Sequence, residues 1–329
     1  MRAATRIEPM VWARLALFIG VLLVFTGSDD RFFTINNIFT IFEGFAFLGL
    51  AALAVGITII AGEFDLSVGS TAAVAGIIAV SVVDDIGLIP TVLLVVSIGS
   101  IYGAIQGYLV YRLKIQSLVF TLGTLIALRG LAFMISGENT VVMEDLTVAN
   151  TVRRQIWIFS PTSLSAIAVF VLVALFLGYT RYGREIFAVG GGRQESAAAG
   201  VPVIRPLILA FAFSGAMGAL AGAMTSIKSG SAGPASFETL LLPAVTAALI
   251  GGVSLFGGRG TVIGIAIGAL TLRFIISGLS LEGAPFYVLT LATGVVLIVF
   301  VVLELVIDRP ELGARWRRWR KLVEHRGNT

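Results

Sequence analysis

The chain has 329 residues, of which 57% are hydrophobic and 13% are charged, and its formal net charge is +4 at pH 7. So few charges exclude an ordinary soluble domain and predict an all-α, polytopic membrane protein. Cysteine is absent and His325 is the only histidine, so disulfides are excluded and neither a metal site nor a catalytic site is expected.

Ten apolar runs are close to the roughly 20 residues that a helix needs to cross a bilayer. In chain order they are residues 10–27, 38–61, 68–83, 88–111, 118–137, 157–179, 207–227, 240–255, 261–279 and 286–307. The third and eighth have 16 residues each, short enough for a tilted, broken or re-entrant segment. Because none alternates apolar and polar residues as a barrel strand does, about ten transmembrane helices are predicted.

Lysine and arginine are unequally shared between the two sides of these spans. With the N-terminus inside, 17 fall on the cytoplasmic side, four lie outside (Arg31, Arg153, Arg154 and Lys228), and two lie within spans. The positive-inside rule therefore predicts that both termini are cytoplasmic. Residues 1–329 are expected to form one transmembrane domain, with a cytoplasmic N-terminal segment at residues 1–9 and a basic cytoplasmic tail at residues 308–329.

The two ends of the chain carry further expectations. The first span follows basic residues but is expected to remain as an uncleaved anchor rather than a signal peptide. The tail interleaves Trp316 and Trp319 with arginines, which is typical of a helix on anionic membrane lipid, although a plain positive-inside anchor is the simpler interpretation. No folded basic domain is present, so no nucleic-acid partner is expected.

A polar segment, residues 190–206 (GGGRQESAAAGVPVIRP), interrupts the apolar sequence on the predicted cytoplasmic side. Residues 193–199 favour a helix, and they are bounded by three glycines before and by Gly200 and Pro202 after. A helix of about two turns is predicted. It is too short to span a membrane and suits docking to a cytoplasmic partner.

Glycine recurs at four-residue spacing at Gly99, Gly103 and Gly107, a pattern that lets membrane helices approach closely. Two segments of the chain are weakly similar to each other, AALAVGITIIAGEFDLSVGS, from Ala51, and TAALIGGVSLFGGRGTVIG, from Thr246, and we call this similarity the internal echo. Each is an apolar run that ends in a glycine-rich turn, as in the internal repeats of transporters.

The turn GEFDLSVGS contains Glu63, Asp65 and Ser67 between the second and third spans. Asp65 or Ser67 could cap the third helix by accepting backbone N–H bonds. The alternative is a gating or ligand-contacting role, because broken membrane helices expose polar backbone only to a cavity or to protein.

Three charged residues, Glu43, Arg129 and Arg273, lie within the outer halves of spans. A charge near the bilayer centre costs at least about 2.5–3.5 kcal/mol unless it is paired or hydrated. We therefore hypothesise that Glu43 pairs with Arg129 or Arg273 beside a polar path open to the outside. Snorkelling and purely structural pairing are the alternatives.

The sequence GGVSLFGGRG resembles a phosphate-binding loop but lacks its essential residues. Gly258 and Arg259 stand where that loop needs lysine and serine or threonine, and no strand precedes it. Any ATP hydrolysis is therefore expected from another chain.

Across residues 36–305, the chain resembles the permease subunit of sugar-type ABC importers, the ribose, xylose and arabinose class, in the superfamily that includes branched-chain amino acid permeases. Four segments carry the resemblance, in the order typical of the family: GEFDLSVGS at residues 62–70, FTLGTLIALRG at 120–130, GGRQESAAAGV at 191–201 and GGVSLFGGRGTVIG at 251–264. The chain departs from the family where Glu63 and Phe64 replace Gly-Ile, and where Gln116 and Ser117 replace a common proline.

The resemblance implies that Arg193, Glu195, Ala197, Ala198 and Gly200 belong to a coupling helix that inserts into a groove of an ATPase. It further implies an ABC ATPase that binds ATP and Mg, a periplasmic solute-binding protein and a second permease copy, with no cofactor in this chain. Residues 138–155 are the candidate dock for the binding protein.

We therefore expect a bacterial inner-membrane permease, not an enzyme, that moves a small polar solute inward, a monosaccharide or polyol. Glu43, Glu63, Asp65, Ser67, Arg129 and Arg273 are its candidate path or gate residues. Two alternatives remain open. One is an ion-coupled secondary transporter in which Glu43 carries a proton, and the other is an enzyme acting on lipid-linked substrates through Glu63 and Asp65.

Overall fold

The computed structural model describes residues 9–308 and, except at residues 9–11, 13, 307 and 308, their side chains. Residues 1–8 and 309–329, which hold nearly all of the predicted N-terminal segment and basic tail, lie outside it. Within the described range nearly all of the regular secondary structure is helical. The all-α, polytopic class predicted from composition is therefore confirmed.

Within residues 9–308, eight helices are long and apolar enough to cross a membrane. They are α2 (Ile35–Ile60), α3 (Val68–Ile86), α4 (Leu88–Leu113), α5 (Ser117–Ser136), α7 (Pro161–Tyr179), α10 (Ile204–Ser229), α12 (Val262–Leu281) and α13 (Phe286–Asp308). The third predicted span is thus an unbroken helix of 19 residues. The sixth begins four residues later than predicted because Ser160 caps α7, its hydroxyl accepting the N–H of Ser163.

The remaining two predicted spans correspond to α1 and α11, of which only α11 is short. Helix α1 (Pro9–Ser28) has 20 residues and is apolar, and its side chains are described without a gap from Arg14 onward. Helix α11 (Leu241–Ile250) has only ten residues, about 15 Å at 1.5 Å per residue, so the predicted span at residues 240–255 is wrong in length. It ends because Gly251 and Gly252 follow, and Gly252 has a φ of +93°.

Shorter elements connect the long helices. They are α6 (Thr147–Arg153), α8 (Arg181–Gly191), α9 (Arg193–Ala198) and a two-stranded antiparallel ribbon of β1 (Val141–Val142) and β2 (Ser231–Ala232). The ribbon joins the loop after α5 to the loop after α10 at one end of the bundle. We call this the ribbon end, and the opposite end, which carries α8 and α9, the α9 end.

Helix α10 is the centre of the bundle and packs against α2, α3 and α4. Gly99, Gly103 and Gly107 of α4 face the backbone of α10, and a Cβ on Gly103 would collide with the carbonyl oxygen of Phe211. The close packing predicted from the glycine spacing is therefore confirmed. Helices α5 and α13 instead expose most of their apolar side chains, as expected of a surface that faces lipid or another subunit.

We predict that Gly103→Ala destabilises the protein by about 1–3 kcal/mol, because the added methyl group forces α4 away from α10. Gly123→Ala is the matched control, since it makes the same change within α5, where a Cβ meets nothing within 4 Å. Reversible unfolding in mixed detergent micelles measures both variants. Equal stability of the two would contradict this account of α4 packing.

Candidate functional site

The α9 end contains the surface helix that the sequence predicts. Helix α9 (Arg193–Ala198) starts after Gly192 and ends before Gly200, whose φ is +82°. Ser196 is its buried residue, whereas Glu195, Ala197 and Ala198 are exposed. The predicted helix is confirmed, and it presents small side chains and one carboxylate to the surface.

Helix α8 comes directly before α9 and was not predicted. Thr180 caps its start, with a hydroxyl that accepts the N–H of Gly183, and the helix buries Ile186 and Val189 against the core. Its alternation of polar and apolar residues at helical spacing is a signal that could have identified it. Helix α8 therefore fixes α9 to the membrane helices.

Three glycine-containing segments meet beside α9. The N–H of Gly258 donates to the carbonyl of Ile60 at 2.8 Å, and a Cβ on Gly190 would collide with that same carbonyl. Gly257 likewise approaches Gly62 and Gly190 too closely for any side chain. The end of α8 thus contacts the backbone at the end of α2 and in the turn before α12. We call these contacts the glycine junction, and they unite the two halves of the internal echo.

An ion pair lies next to the glycine junction. The guanidinium of Arg193, on α9, contacts the carboxylate of Glu63, which follows α2. The side chain of Glu63 is 6% exposed and that of Arg193 is 47% exposed, and burial lowers the pKa of Arg193. This pair ties α9 to the turn in which sequence reasoning placed a gate.

Asp65 is the centre of a buried polar network that holds this turn. One carboxylate oxygen accepts from the backbone N–H and the hydroxyl of Ser67, at 2.9 and 2.6 Å, and from the amide of Gln106 on α4 at 3.2 Å. The other oxygen accepts from the hydroxyl of Ser214 on α10 at 2.6 Å. Ser67 is the N-cap residue of α3 but makes no side-chain cap bond. Asp65 therefore links the start of α3 to α4 and α10.

Glu43 lies at the ribbon end, and its partners differ from those hypothesised. Its carboxylate pairs with Lys228 at the end of α10, and it accepts from the hydroxyls of Ser160 and Thr162 at the start of α7. The hypothesis that it pairs with Arg129 or Arg273 is therefore wrong. The orientation of α2 about its own axis points the Glu43 carboxylate toward α7 and α10. A hydropathy pattern does not determine that orientation.

Arg129 and Arg273 have separate surroundings. Arg129 on α5 pairs with Glu238, in the segment before α11, next to a small cavity of about 50 Å³. Arg273 on α12 lines a larger cavity, about 260 Å³, together with Glu43 and Lys228. The structure thus brings Glu43 and Arg273 to one cavity and places Arg129 elsewhere.

Sequence reasoning also missed the partner residues Gln106, Ser160, Thr162 and Ser214. Gln106 is the clearest of them, because an amide within an otherwise apolar run needs a buried partner. Ser160, Thr162 and Ser214 could not be identified in this way, because a serine or threonine hydroxyl can donate its hydrogen bond to a backbone carbonyl of its own helix and so needs no distant partner.

Comparison with known proteins assigns the family. Residues 37–303 match the family described as branched-chain amino acid transport system, permease component. The chain belongs to this family. No solved structure was found to match it.

Two individual relatives illustrate the similarity. The ribose import permease protein RbsC of Escherichia coli K12 is 32% identical over 267 residues, which cover 79% of this chain and 83% of the relative. The autoinducer 2 import system permease protein LsrD of Photorhabdus laumondii is 31% identical over 275 residues, covering 80% and 81%. Both are permease proteins rather than enzymes. The chain is thus the permease subunit of an ABC importer and a multi-pass protein of a bacterial inner membrane.

We predict that the Glu63–Arg193 pair is energetically asymmetric. Arg193→Gln leaves the buried Glu63 carboxylate without a counter-charge, whereas Glu63→Gln leaves a guanidinium that water can reach, so Arg193→Gln destabilises more. A double-mutant cycle should give a coupling of about 0.5–3 kcal/mol by unfolding in mixed micelles. Arg31→Gln, which breaks an exposed pair with Asp29, is the control and should have a smaller effect. Additive effects of the two substitutions would show that the pair is not coupled.

Proposed function

We propose that this permease imports a monosaccharide or a related polyol, driven by ATP that a separate subunit hydrolyses. The observation that carries the choice of solute is the similarity to permeases whose names specify ribose and autoinducer 2 import. A cavity of about 260 Å³ within the membrane bundle, lined largely by apolar residues together with three charged residues and three threonines, is consistent with such a cargo. Family membership favours this mechanism over the ion-coupled alternative.

The proposed assembly places one partner at each end of the bundle. The unequal distribution of lysine and arginine supports a cytoplasmic α9 end and cytoplasmic termini. An ABC ATPase, which binds the ATP and Mg, docks at that end, and a periplasmic solute-binding protein docks at residues 138–155 of the ribbon end. A second copy of this chain completes the permease. Residues 1–329 form one transmembrane domain that contributes no cofactor.

Helix α9 is the proposed coupling helix, with Arg193, Glu195, Ala197, Ala198 and Gly200 as its functional residues. Ala197 and Ala198 are exposed and small, so a groove can approach the helix backbone closely. The carboxylate of Glu195 lies over Gly192 at the start of the helix, where negative charge is favoured. The buried Ser196 and the ion pair of Arg193 hold the opposite face.

Movement at α9 reaches the membrane helices through rigid contacts in this proposal. The glycine junction contains no side chains that could absorb a displacement, so α8 and α9 push directly on α2 and on the turn before α12. Glu63 transmits the same displacement through its ion pair. Closure of the ATPase would thereby shift the permease between outward and inward openings.

The path and gate residues are proposed from their positions along this route. Glu43 and Arg273 line the larger cavity at the ribbon end, and Arg129 lines the smaller one. Asp65 and Ser67 join α3, α4 and α10 close to Glu63, where a gate could respond to α9. We propose that solute passes the charged residues at the ribbon end before it meets this gate.

The solute assignment predicts stimulation of ATP hydrolysis by a sugar or polyol. The complex purified from its native host should contain an ABC ATPase, and with its binding protein in nanodiscs it should hydrolyse ATP several-fold faster with one member of a sugar and polyol panel. Branched-chain amino acids serve as the control solutes. Stimulation by an amino acid alone would overturn the solute class, and failure to recover any ATPase would overturn the ATP-driven mechanism.

The coupling assignment predicts that Ala198→Trp abolishes solute uptake and that Glu195→Gln reduces it, because the indole blocks the groove and the amide removes the charge at the start of the helix. Membrane insertion should be unchanged in both. Ala127→Trp, at an exposed position of α5, is the control for introducing an indole. Uptake that persists in both α9 variants would reduce residues 190–206 to a connecting loop.

A further inference from the structure

The cavity of about 260 Å³ at the ribbon end has a chemical property that a path for neutral sugars does not need. It is a partly open cavity lined by residues of α2, α7, α10 and α12 within a single copy of the chain. Its volume is close to the lower end, about 300 Å³, of typical small-molecule pockets. Its lining includes three charged residues, Glu43, Lys228 and Arg273, and the hydroxyl residues Thr40, Thr162 and Thr225.

Both oxygens of the Glu43 carboxylate contact neighbouring side chains. One oxygen accepts from the hydroxyl of Thr162 at 2.7 Å and from that of Ser160, and the other faces the ammonium of Lys228. Glu43 and Lys228 thus neutralise each other. Among the described residues Glu43 makes no ion pair with a second cation.

Arg273 is that second cation. Its guanidinium makes no hydrogen bond or ion pair with any residue that the structure describes, and its Nε is buried. It lies against the backbone of α2 at Gly44, where a Cβ would overlap the guanidinium. A charge within a membrane-spanning helix is unfavourable unless it is paired or hydrated, so a compensating anion would stabilise the protein.

The described lining of the cavity therefore carries an excess of one positive charge. Arginine presents a fork of N–H donors that fits carboxylate and phosphate oxygens. Among the described residues the hydroxyl of Thr225 makes no hydrogen bond, so it can also serve a ligand. We propose that this cavity is a binding site for a small anion, with Arg273 as its principal ligand and Thr225 as a second donor.

The anion has two possible sources with the same chemistry, a free inorganic or carboxylate ion and the acidic group of a polyhydroxylated solute. The site does not depend on the ATP-driven transport proposed above. It can be measured on the full-length permease alone, so failure of the site and failure of the transport mechanism give different results.

The experiment measures the thermal unfolding midpoint of the permease in nanodiscs. Sodium chloride, acetate, phosphate, gluconate, ribose 5-phosphate and neutral ribose are each titrated at an ionic strength held constant with a bulky HEPES salt. We expect the anions to raise the midpoint saturably, whereas ribose at equal concentration should not. Greater potency of gluconate over acetate would assign the site to an acidic solute, and equal potency would assign it to a free ion.

The variants test the ligands of the site. Arg273→Met should raise the apparent Kd for the anions at least tenfold, while Arg273→Lys, which keeps the charge, and Thr225→Val should raise it less. Arg31→Met is the control and should leave the apparent Kd unchanged, since Arg31 is exposed and paired with Asp29. The proposal is overturned if no anion stabilises the protein saturably, or if the Arg273 variants respond as the wild type does.

Discussion

The fold depends on direct contact between backbones, made possible where glycine replaces a side chain. Lipid gives little hydrophobic drive for helices to associate, so dispersion forces must hold them together, and these require close approach. Gly99 and Gly103 of α4 meet α10 in this way, and Gly190 meets the end of α2 and the turn before α12. The same device therefore builds the centre of the bundle and attaches α9 to it. Backbone contacts of this kind are stiff because no side chain lies between the two backbones at the point of contact.

Polar groups within the bundle serve a complementary purpose. Two buried carboxylates bond to residues from distant parts of the chain, Asp65 to α4 and α10, and Glu43 to α7 and α10. In a low-dielectric interior such bonds fix the relative rotation of helices, which apolar packing alone leaves loosely specified. Arg273 is the contrasting case, because its charge contributes no such link among the described residues.

The sequence predicted what depends on local composition. Apolar runs located the eight long helices, and glycines on either side of residues 193–199 located α9. The partner of Glu43 could not be predicted in the same way, because Lys228 is 185 residues away and their meeting requires the register of α2 against α10. The length of α11 was overestimated because hydropathy continues past Ile250, whereas the helix ends at two glycines. Helix α8 was not predicted because polar residues on one of its faces interrupt the sequence, so it contains no continuous apolar run.

Helix α2 connects the two ends of the molecule. Glu43 lies near its start and Gly62 just after its end, about 28 Å apart at 1.5 Å per residue, and the helix between them is almost completely buried. A continuous buried helix moves as one body, so a displacement of its end at the glycine junction is accompanied by a displacement of Glu43. Thermodynamic linkage is reciprocal: if docking at α9 changes the affinity of the cavity for its occupant, the occupant changes the affinity of α9 for its partner by the same factor. In the proposed mechanism, α2 therefore couples binding in the cavity at the ribbon end to docking at α9.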